Sequence, residues 1–350
     1  MTGKNMAAVF YKQGDIRLQE AEIPEPAAGQ VQIRIENVGI CGSDLSFWER
    51  DGIPGVLEGG APFAIGHEGA GIVSKLGQGV TSLKIGDKVA LDPLFNCGHC
   101  TDCKTGRYNL CTGATICGFH KQWGYMTRLF VQNAEHCFQF PSHVSTEEGA
   151  MLEPLAIALH ACRRAGVSAN SKVLITGAGP IGLLAMMSAK VFGASSVCMT
   201  EVNETRIKLA KQLGADYVLN VASKEPHDVA KLVEECFGEK PNMAIECSGA
   251  QSAMCAAIYA TRSGGCMTQV GLGDAKVTVP LTDASFREVD ITGVRSNLYC
   301  TPLAADLVAS GRIDVKPLVA HRYELENVAE AFKRAHLRKG GKVMVRCSKD

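Results

Sequence analysis

The chain has 350 residues, 46% hydrophobic and 21% charged, which is long for one core and describes a folded protein, neither disordered nor fibrous. Thirty-six Lys and Arg balance thirty-six Asp and Glu without a basic run, so no net field draws the protein to nucleic acid or an anionic membrane. No apolar stretch approaches a membrane span, and Met1 to Asn5 lack the apolar core of an export signal; the expectation is a cytoplasmic protein whose fifteen cysteines are reduced or metal-bound.

Through about residue 150, short alternating segments (Val31, Ile33, Ile35; Gly71-Ile72-Val73; Lys88-Val89-Ala90) are separated by Gly, Pro and Asp turns. That pattern predicts a β-rich barrel or sandwich. Two glycine-flanked segments carry metal-ligand residues: Cys41 in Gly39-Ile40-Cys41-Gly42-Ser43-Asp44, and His67 and Glu68 in Gly66-His67-Glu68-Gly69-Ala70-Gly71. A catalytic zinc needs three protein ligands and an open position. Cys41, His67 and Glu68 meet that need if the two segments converge. Spacing alone does not join them, and packed bystanders are the other reading.

Cys97, Cys100, Cys103 and Cys111 follow, four cysteines in fifteen residues with no apolar period between them. Four thiolates satisfy a closed tetrahedral zinc site, in which no position is left for substrate. The alternatives are an iron–sulfur cluster or four idle thiols, which would be an oxidation hazard. His99 is superfluous beside four sulfurs and reads as a surface residue.

From Lys172 the pattern changes to short apolar runs alternating with helical ones. Strands are predicted at 172–176, 197–201, 217–219, 243–247, 266–270 and 291–294, with helices at 181–192, 205–213, 228–237 and 251–262. Six strands apolar on both faces and separated by helices describe an α/β, doubly wound parallel sheet. The C-terminal segment ends in a strand-like run, Lys342 to Arg346, that could join either half.

Gly177-Ala178-Gly179-Pro180-Ile181-Gly182 lies between the first of these strands and its helix, the context that gives a G-x-G-x-x-G sequence meaning. Gly177 permits the tight turn, Gly179 lets a pyrophosphate approach, and Gly182 lets helix and strand pack; the helix N-terminus favours the phosphates. A glycine-rich turn with no ligand is the bland alternative. Glu201 weighs against it, ending the second strand nineteen residues after Gly182. A carboxylate there accepts ribose hydroxyls and repels a 2′-phosphate, which favours NAD over NADP. Arg206, one turn into the next helix, could instead receive that phosphate, stack on adenine or face solvent. Val270, Gly271 and Leu272, at the end of the fifth strand, complete the residues assigned to the cofactor.

In their order, the Gly-Ile-Cys-Gly-Ser-Asp turn, Gly66-His67-Glu68, the four-cysteine lobe and the Gly177–Gly182 turn resemble the zinc-containing medium-chain dehydrogenases over essentially the whole chain. The sorbitol (polyol) dehydrogenase branch is suggested by Gly106-Arg107-Tyr108-Asn109-Leu110-Cys111, Glu153-Pro154-Leu155, His160-Ala161-Cys162-Arg163-Arg164 and Arg287-Glu288-Val289-Asp290-Ile291. The resemblance implies a GroES-like catalytic domain over 1–157, with its zinc lobe at about 94–113. A Rossmann NAD-binding domain over 158–296 and a return to the catalytic domain over 297–350 complete the implied organisation. It also implies a catalytic zinc on Cys41, His67 and Glu68, with Glu153 a direct ligand or linked through water, and a second, structural zinc on Cys97, Cys100, Cys103 and Cys111. Ser43 and Glu153 are the candidate proton relays.

Three departures separate this chain from the polyol pattern. Ser46 and Phe47 replace the His and Tyr that usually follow the Ser-Asp of the Cys turn. Arg295-Ser296-Asn297 replaces the usual Phe-Arg-Tyr, and Phe119-His120-Lys121-Gln122-Trp123 lacks the Pro- and Asp-rich stretch. Phe47, Glu153, Ser296 and Asn297 are therefore the expected substrate residues. The expected activity is hydride transfer from a polyol or other secondary alcohol to NAD, in a homodimer or homotetramer. An L-threonine 3-dehydrogenase-like enzyme and a non-enzymatic nucleotide-binding protein are the competing readings.

Overall fold

A computed structural model describes residues 4–53, 57–58, 60–119 and 122–348. Met1 to Gly3 of the opening segment, and His120 and Lys121 of the divergent loop, lie outside the described residues. The chain divides into two units, one of Met1–Glu153 with Thr301–Arg338 and Lys342–Asp350, the other of Pro154–Cys300 with Lys339–Gly341. Among the described residues no helix is long and apolar enough to cross a membrane.

The first unit is built on the strand Gln30–Gly39, whose Val31, Ile33, Ile35 and Val38 are buried. It pairs antiparallel with Glu68–Leu76, Leu129–Asn133 and Lys342–Arg346. The last of these shows where the C-terminal run goes. Lys88–Leu91, Cys137–Gln139 and Val319–Glu324 complete a seven-stranded, GroES-like sheet. One register pair matters for the site: Gly39, the last residue of its strand, lies opposite Glu68, the first of the next. Cys41, two residues past Gly39, is thereby drawn to the segment carrying His67 and Glu68.

In the second unit six parallel strands stand in the order Tyr217–Asn220, Ser196–Glu201, Lys172–Thr176, Met243–Glu246, Cys266–Gln269 and Asp290–Gly293. The order reverses at Lys172–Thr176, the switch point of a Rossmann sheet, and ligands of such sheets bind outside the strand C-termini there. Helix limits differ from the sequence reading by one or two residues. The helix predicted to reach Arg262 stops at Ala260, because Thr261 is extended and turns its hydroxyl back onto the Ala257 carbonyl.

Candidate active site

Cys41 is the N-cap of the helix Gly42–Arg50. Its backbone N–H donates to Asp44 Oδ2 at 2.9 Å, and Asp44 Oδ1 lies 3.2 Å from His67 Nδ1. One fully buried carboxylate thus holds both the Cys41 turn and the His67 ring. With Nδ1 facing Asp44, Nε2 faces inward, 3.4 Å from Ser43 Oγ. Burial works against a charged His67, but Asp44 and Cys41 more than offset it and its pKa is raised.

Cys41, His67 and Glu68 each present a ligand atom within 4.8 Å of the other two. Thiolate, imidazole and carboxylate form a donor set suited to zinc. Glu153, buried in the first turn of the helix Leu152–Ala165, stands outside that cluster. Its Oε2 is buried without a hydrogen-bond partner, and burial pushes its pKa up to about 8, with His67 opposing and Glu68 adding to the rise. A buried, unsatisfied oxygen that feels the charge of two of the three clustered ligands is what a metal, or water on it, would satisfy. The residues fit the ion.

Lys342 was not legible in the sequence. It is 4% exposed, donates to Glu68 Oε1 at 2.6 Å and to the Ile40 carbonyl at 3.2 Å, and also contacts Glu68 Oε2. A carboxylate buried to 1% exposure needs such a partner. Burial is the largest influence on the Lys342 pKa and lowers it, but Glu68, Cys41 and Glu153 together outweigh it, so the pKa is raised and the ammonium form persists. The pair also explains Gly39: a Cβ there would sit 2.2 Å from Glu68 Oε2.

Phe47, which the resemblance puts near substrate, is fully buried against Phe10, Phe63 and Phe119, at ring separations of 5.4–6.0 Å. The ring that meets His67 is Phe119, at 4.8 Å. Phe119 lies in the divergent loop, and no motif distinguishes it.

In the cysteine lobe, Cys97, Cys100, Cys103 and Cys111 bring their sulfurs within 4.8 Å of one another. Cys97 Sγ and Cys103 Sγ are 4.0 Å apart, too far for a disulfide and near the roughly 3.8 Å edge of a tetrahedron with zinc at its centre. The N–H of Cys100 points at Cys97 Sγ (3.3 Å) and that of Cys97 at Cys111 Sγ (3.5 Å). Backbone N–H groups of His99 and Cys100 lower the Cys97 pKa to about 6, a thiolate-stabilising environment. Leu94–Phe95 pairs with Thr115–Ile116 to close the lobe at its base. His99 is exposed, bonded to the Cys97 carbonyl.

In the second unit Gly177 takes φ +89° after the strand Lys172–Thr176, and Gly179 caps the helix Pro180–Val191. A Cβ on Gly182 would lie 1.9 Å from the Gly177 carbonyl oxygen, so only glycine fits. A Cβ on Gly179 would meet nothing nearer than Arg206 Nη1 at 3.9 Å, which leaves a phosphate room to approach this backbone. Pro180 and Ile181 form the first turn of that helix. Glu201 accepts from Ala178 N–H at 2.9 Å and from Val202 and Asn203 N–H, tying the second strand to the glycine turn. Arg206 Nη1 is 3.7 Å from Glu201 Oε2, and its Nε is buried without a partner. Val270 and Gly271 are half-buried after the strand Cys266–Gln269, and Leu272 is exposed. Ser296 sits at φ +51°. Asn297 is buried; its Oδ1 accepts from Cys300 N–H and its Nδ2 has no partner.

Comparison with known proteins agrees with this chemistry. Residues 27–142 match the alcohol dehydrogenase GroES-like domain, and residues 180–310 match the zinc-binding dehydrogenase family. The chain belongs to the zinc-containing medium-chain dehydrogenases, oxidoreductases that act on small-molecule alcohols with zinc and a nicotinamide cofactor. Within that family it is similar to sorbitol dehydrogenase of Gallus gallus, 43% identical over 346 residues, covering 99% of this chain and 97% of that one. Among solved structures it is similar to L-idonate 5-dehydrogenase of Escherichia coli (TM-score 0.89, 28% identity, 99% of each chain). It is also similar to a zinc-binding dehydrogenase of Sinorhizobium meliloti bound to NADP (TM-score 0.89, 28% identity, 99% and 100% of the two chains).

Proposed function

We propose that this protein oxidises a polyol or other secondary alcohol to the ketone, using NAD and two zincs per chain, one catalytic and one structural. The observation that carries the reading is the convergence of Cys41, His67 and Glu68, each with a ligand atom within 4.8 Å of the other two. Zinc bound there supplies Lewis acidity that lowers the pKa of the substrate hydroxyl. Cys41 and Glu68 offset its charge, Asp44 fixes the His67 ring, and Phe119 gives that ring an apolar neighbour. Ser43 Oγ, beside His67 Nε2, is suited to pass on the substrate hydroxyl proton. The four-cysteine lobe has no open position and takes the structural ion.

NAD over NADP follows from Glu201. Its carboxylate is already oriented by the Ala178 N–H of the glycine turn and by the N–H groups of Val202 and Asn203, and it opposes a 2′-phosphate. Arg206 is engaged with that carboxylate. The expected result is a clear preference for NAD that Glu201→Ala narrows by roughly an order of magnitude or more in kcat/KM. Equal use of both cofactors by the unaltered protein would contradict the assignment.

Substrate choice within the class turns on the departures from the polyol pattern. Ser296 and Asn297 are shorter than the Arg and Tyr usual there and offer less to hydroxyls beyond the reacting one. Sorbitol is accordingly expected to be a poor substrate. Steady-state comparison of sorbitol, xylitol, galactitol, threitol, L-threonine and simple secondary alcohols tests this. Sorbitol winning by orders of magnitude in kcat/KM overturns it, and L-threonine winning moves the protein to the neighbouring branch.

A homo-oligomer is the expected assembly. Asp290–Gly293 is an edge strand of the parallel sheet, and Ile291, Phe286 and Leu281 on and before it are exposed. A monomer mass by light scattering at micromolar concentration would refute it.

A further inference from the structure

Glu246 ends the fourth strand of the parallel sheet, Met243–Glu246, and its side chain is completely buried. Five donors converge on it, none of them charged. Ser248 N–H (2.7 Å), Thr176 Oγ1 (3.2 Å), Gly249 N–H (3.0 Å) and the Ser248 hydroxyl bond Oε1. Gln269 Nε2 bonds Oε2 at 2.7 Å, and Gly249 N–H shares it at 3.0 Å. The Glu246 carbonyl accepts in addition from Val270 and Gly271 N–H, both at 2.9 Å. Gln269 Nε2 also bonds the Gly271 carbonyl at 2.7 Å.

These contacts have a common address. Thr176, Glu246 and Gln269 are register partners across three adjacent strands, each the last residue of its strand. The loops beyond them form the carboxyl edge of the sheet, where doubly wound folds bind a dinucleotide. The Gly177–Gly182 turn and Glu201 account for the pyrophosphate and the adenosine ribose, so the loops after the fourth and fifth strands remain for the nicotinamide half. Those two loops touch: a Cβ on Gly249, at φ +76°, would lie 2.5 Å from the Leu272 carbonyl oxygen. Three of these partners, the Ser248 and Gly249 N–H groups and Gln269 Nε2, can only donate and together they reach both oxygens, which suits a carboxylate and not an amide, whose NH2 would face one of them. Neutral polar residues at this position would leave a buried donor facing another.

We propose that Glu246 is a positioning residue for the nicotinamide half of the cofactor site. It clamps the Ser248–Gly249 loop and the Val270–Leu272 loop against each other without touching the cofactor. The inference rests on the dinucleotide reading of this unit and deepens it, since it separates the two halves of the site by the residues that support them.

The test compares NADH with ADP, which carries only the adenine half, by titration calorimetry on the zinc-loaded protein. The variants are Glu246→Gln and, as a gentler lesion that keeps the carboxylate, Gln269→Leu. Glu246→Gln is expected to weaken NADH binding roughly tenfold, the scale of a lost hydrogen bond to a charged group, and Gln269→Leu by less. ADP affinity is expected to stay within about twofold of the unaltered protein in both, because its supports lie elsewhere. Equal weakening of ADP and NADH would show a general distortion and overturn the proposal, as would unchanged NADH affinity in both variants. If Glu246→Gln does not fold, Gln269→Leu alone decides between these outcomes. Failure of the unaltered protein to bind either ligand would instead refute the dinucleotide reading, and the proposal with it.

Discussion

Cys41→Ser and His67→Ala are each expected to abolish alcohol-dependent NADH formation while leaving a folded protein that binds NADH. Lewis-acid assistance by a metal is worth several kcal/mol of barrier, so the expected loss is roughly 10³- to 10⁵-fold in kcat/KM. The proposed cofactor residues Gly177 to Gly182 and Glu201 belong to the other unit, which is why binding is spared. Cys41→Ser keeps the helix cap, because the Asp44 bond is to the backbone of residue 41 rather than to its side chain. His67→Ala leaves one Asp44 oxygen without its neighbour and costs about 1–3 kcal/mol of stability. NADH fluorescence titration beside steady-state rates reads both effects. Either variant retaining more than a tenth of the activity would remove these residues from the metal.

Replacing Cys100 has a different expected outcome. A structural zinc contributes folding free energy directly, on the order of 10 kcal/mol or more in small zinc peptides. Between Leu94–Phe95 and Thr115–Ile116 the lobe holds only the four-residue helix Thr101–Lys104 and one short turn, with little apolar packing to replace a metal. Cys100→Ser should therefore release one zinc per chain, open residues 97–111 to proteolysis and lower the melting temperature by several degrees. A variant with unaltered zinc content and protease resistance would show that the four sulfurs hold nothing.

These two sites differ in how far they could be read from sequence, and the reason is physical. Cys97, Cys100, Cys103 and Cys111 announce themselves because all four ligands lie within one short loop. Cys41 and His67 are twenty-six residues apart and meet only because Gly39 pairs with Glu68 in an antiparallel register that no local pattern displays. Asp44 was visible as part of the Cys41 turn, but its second role, against His67 Nδ1, depends on the same pairing. Lys342 was hidden for a stronger version of that reason. Its strand joins Gln30–Gly39 across some three hundred residues, and a lysine opening an apolar run reads as an exposed strand end. Phe119 carries no spacing signal at all.

The parallel sheet was legible almost to the residue because its central strands, buried on both faces, leave continuous apolar runs such as Val173-Leu174-Ile175, and glycine turns punctuate them; the edge strands Tyr217–Asn220 and Asp290–Gly293 are more exposed. Glu246 was seen there only as part of a strand. A carboxylate inside an apolar run contradicts its local pattern, and such contradictions collect at functional sites.

The most direct test of the account combines metal analysis with turnover on one preparation. The protein is assayed for zinc and for NADH formation from its best secondary alcohol, before and after graded chelation and after zinc is returned. The account predicts two zincs per chain, loss of NADH formation as the first is removed, retention of NADH binding at that stage, and recovery when zinc is restored. Undiminished NADH formation by protein stripped of all its zinc would contradict it.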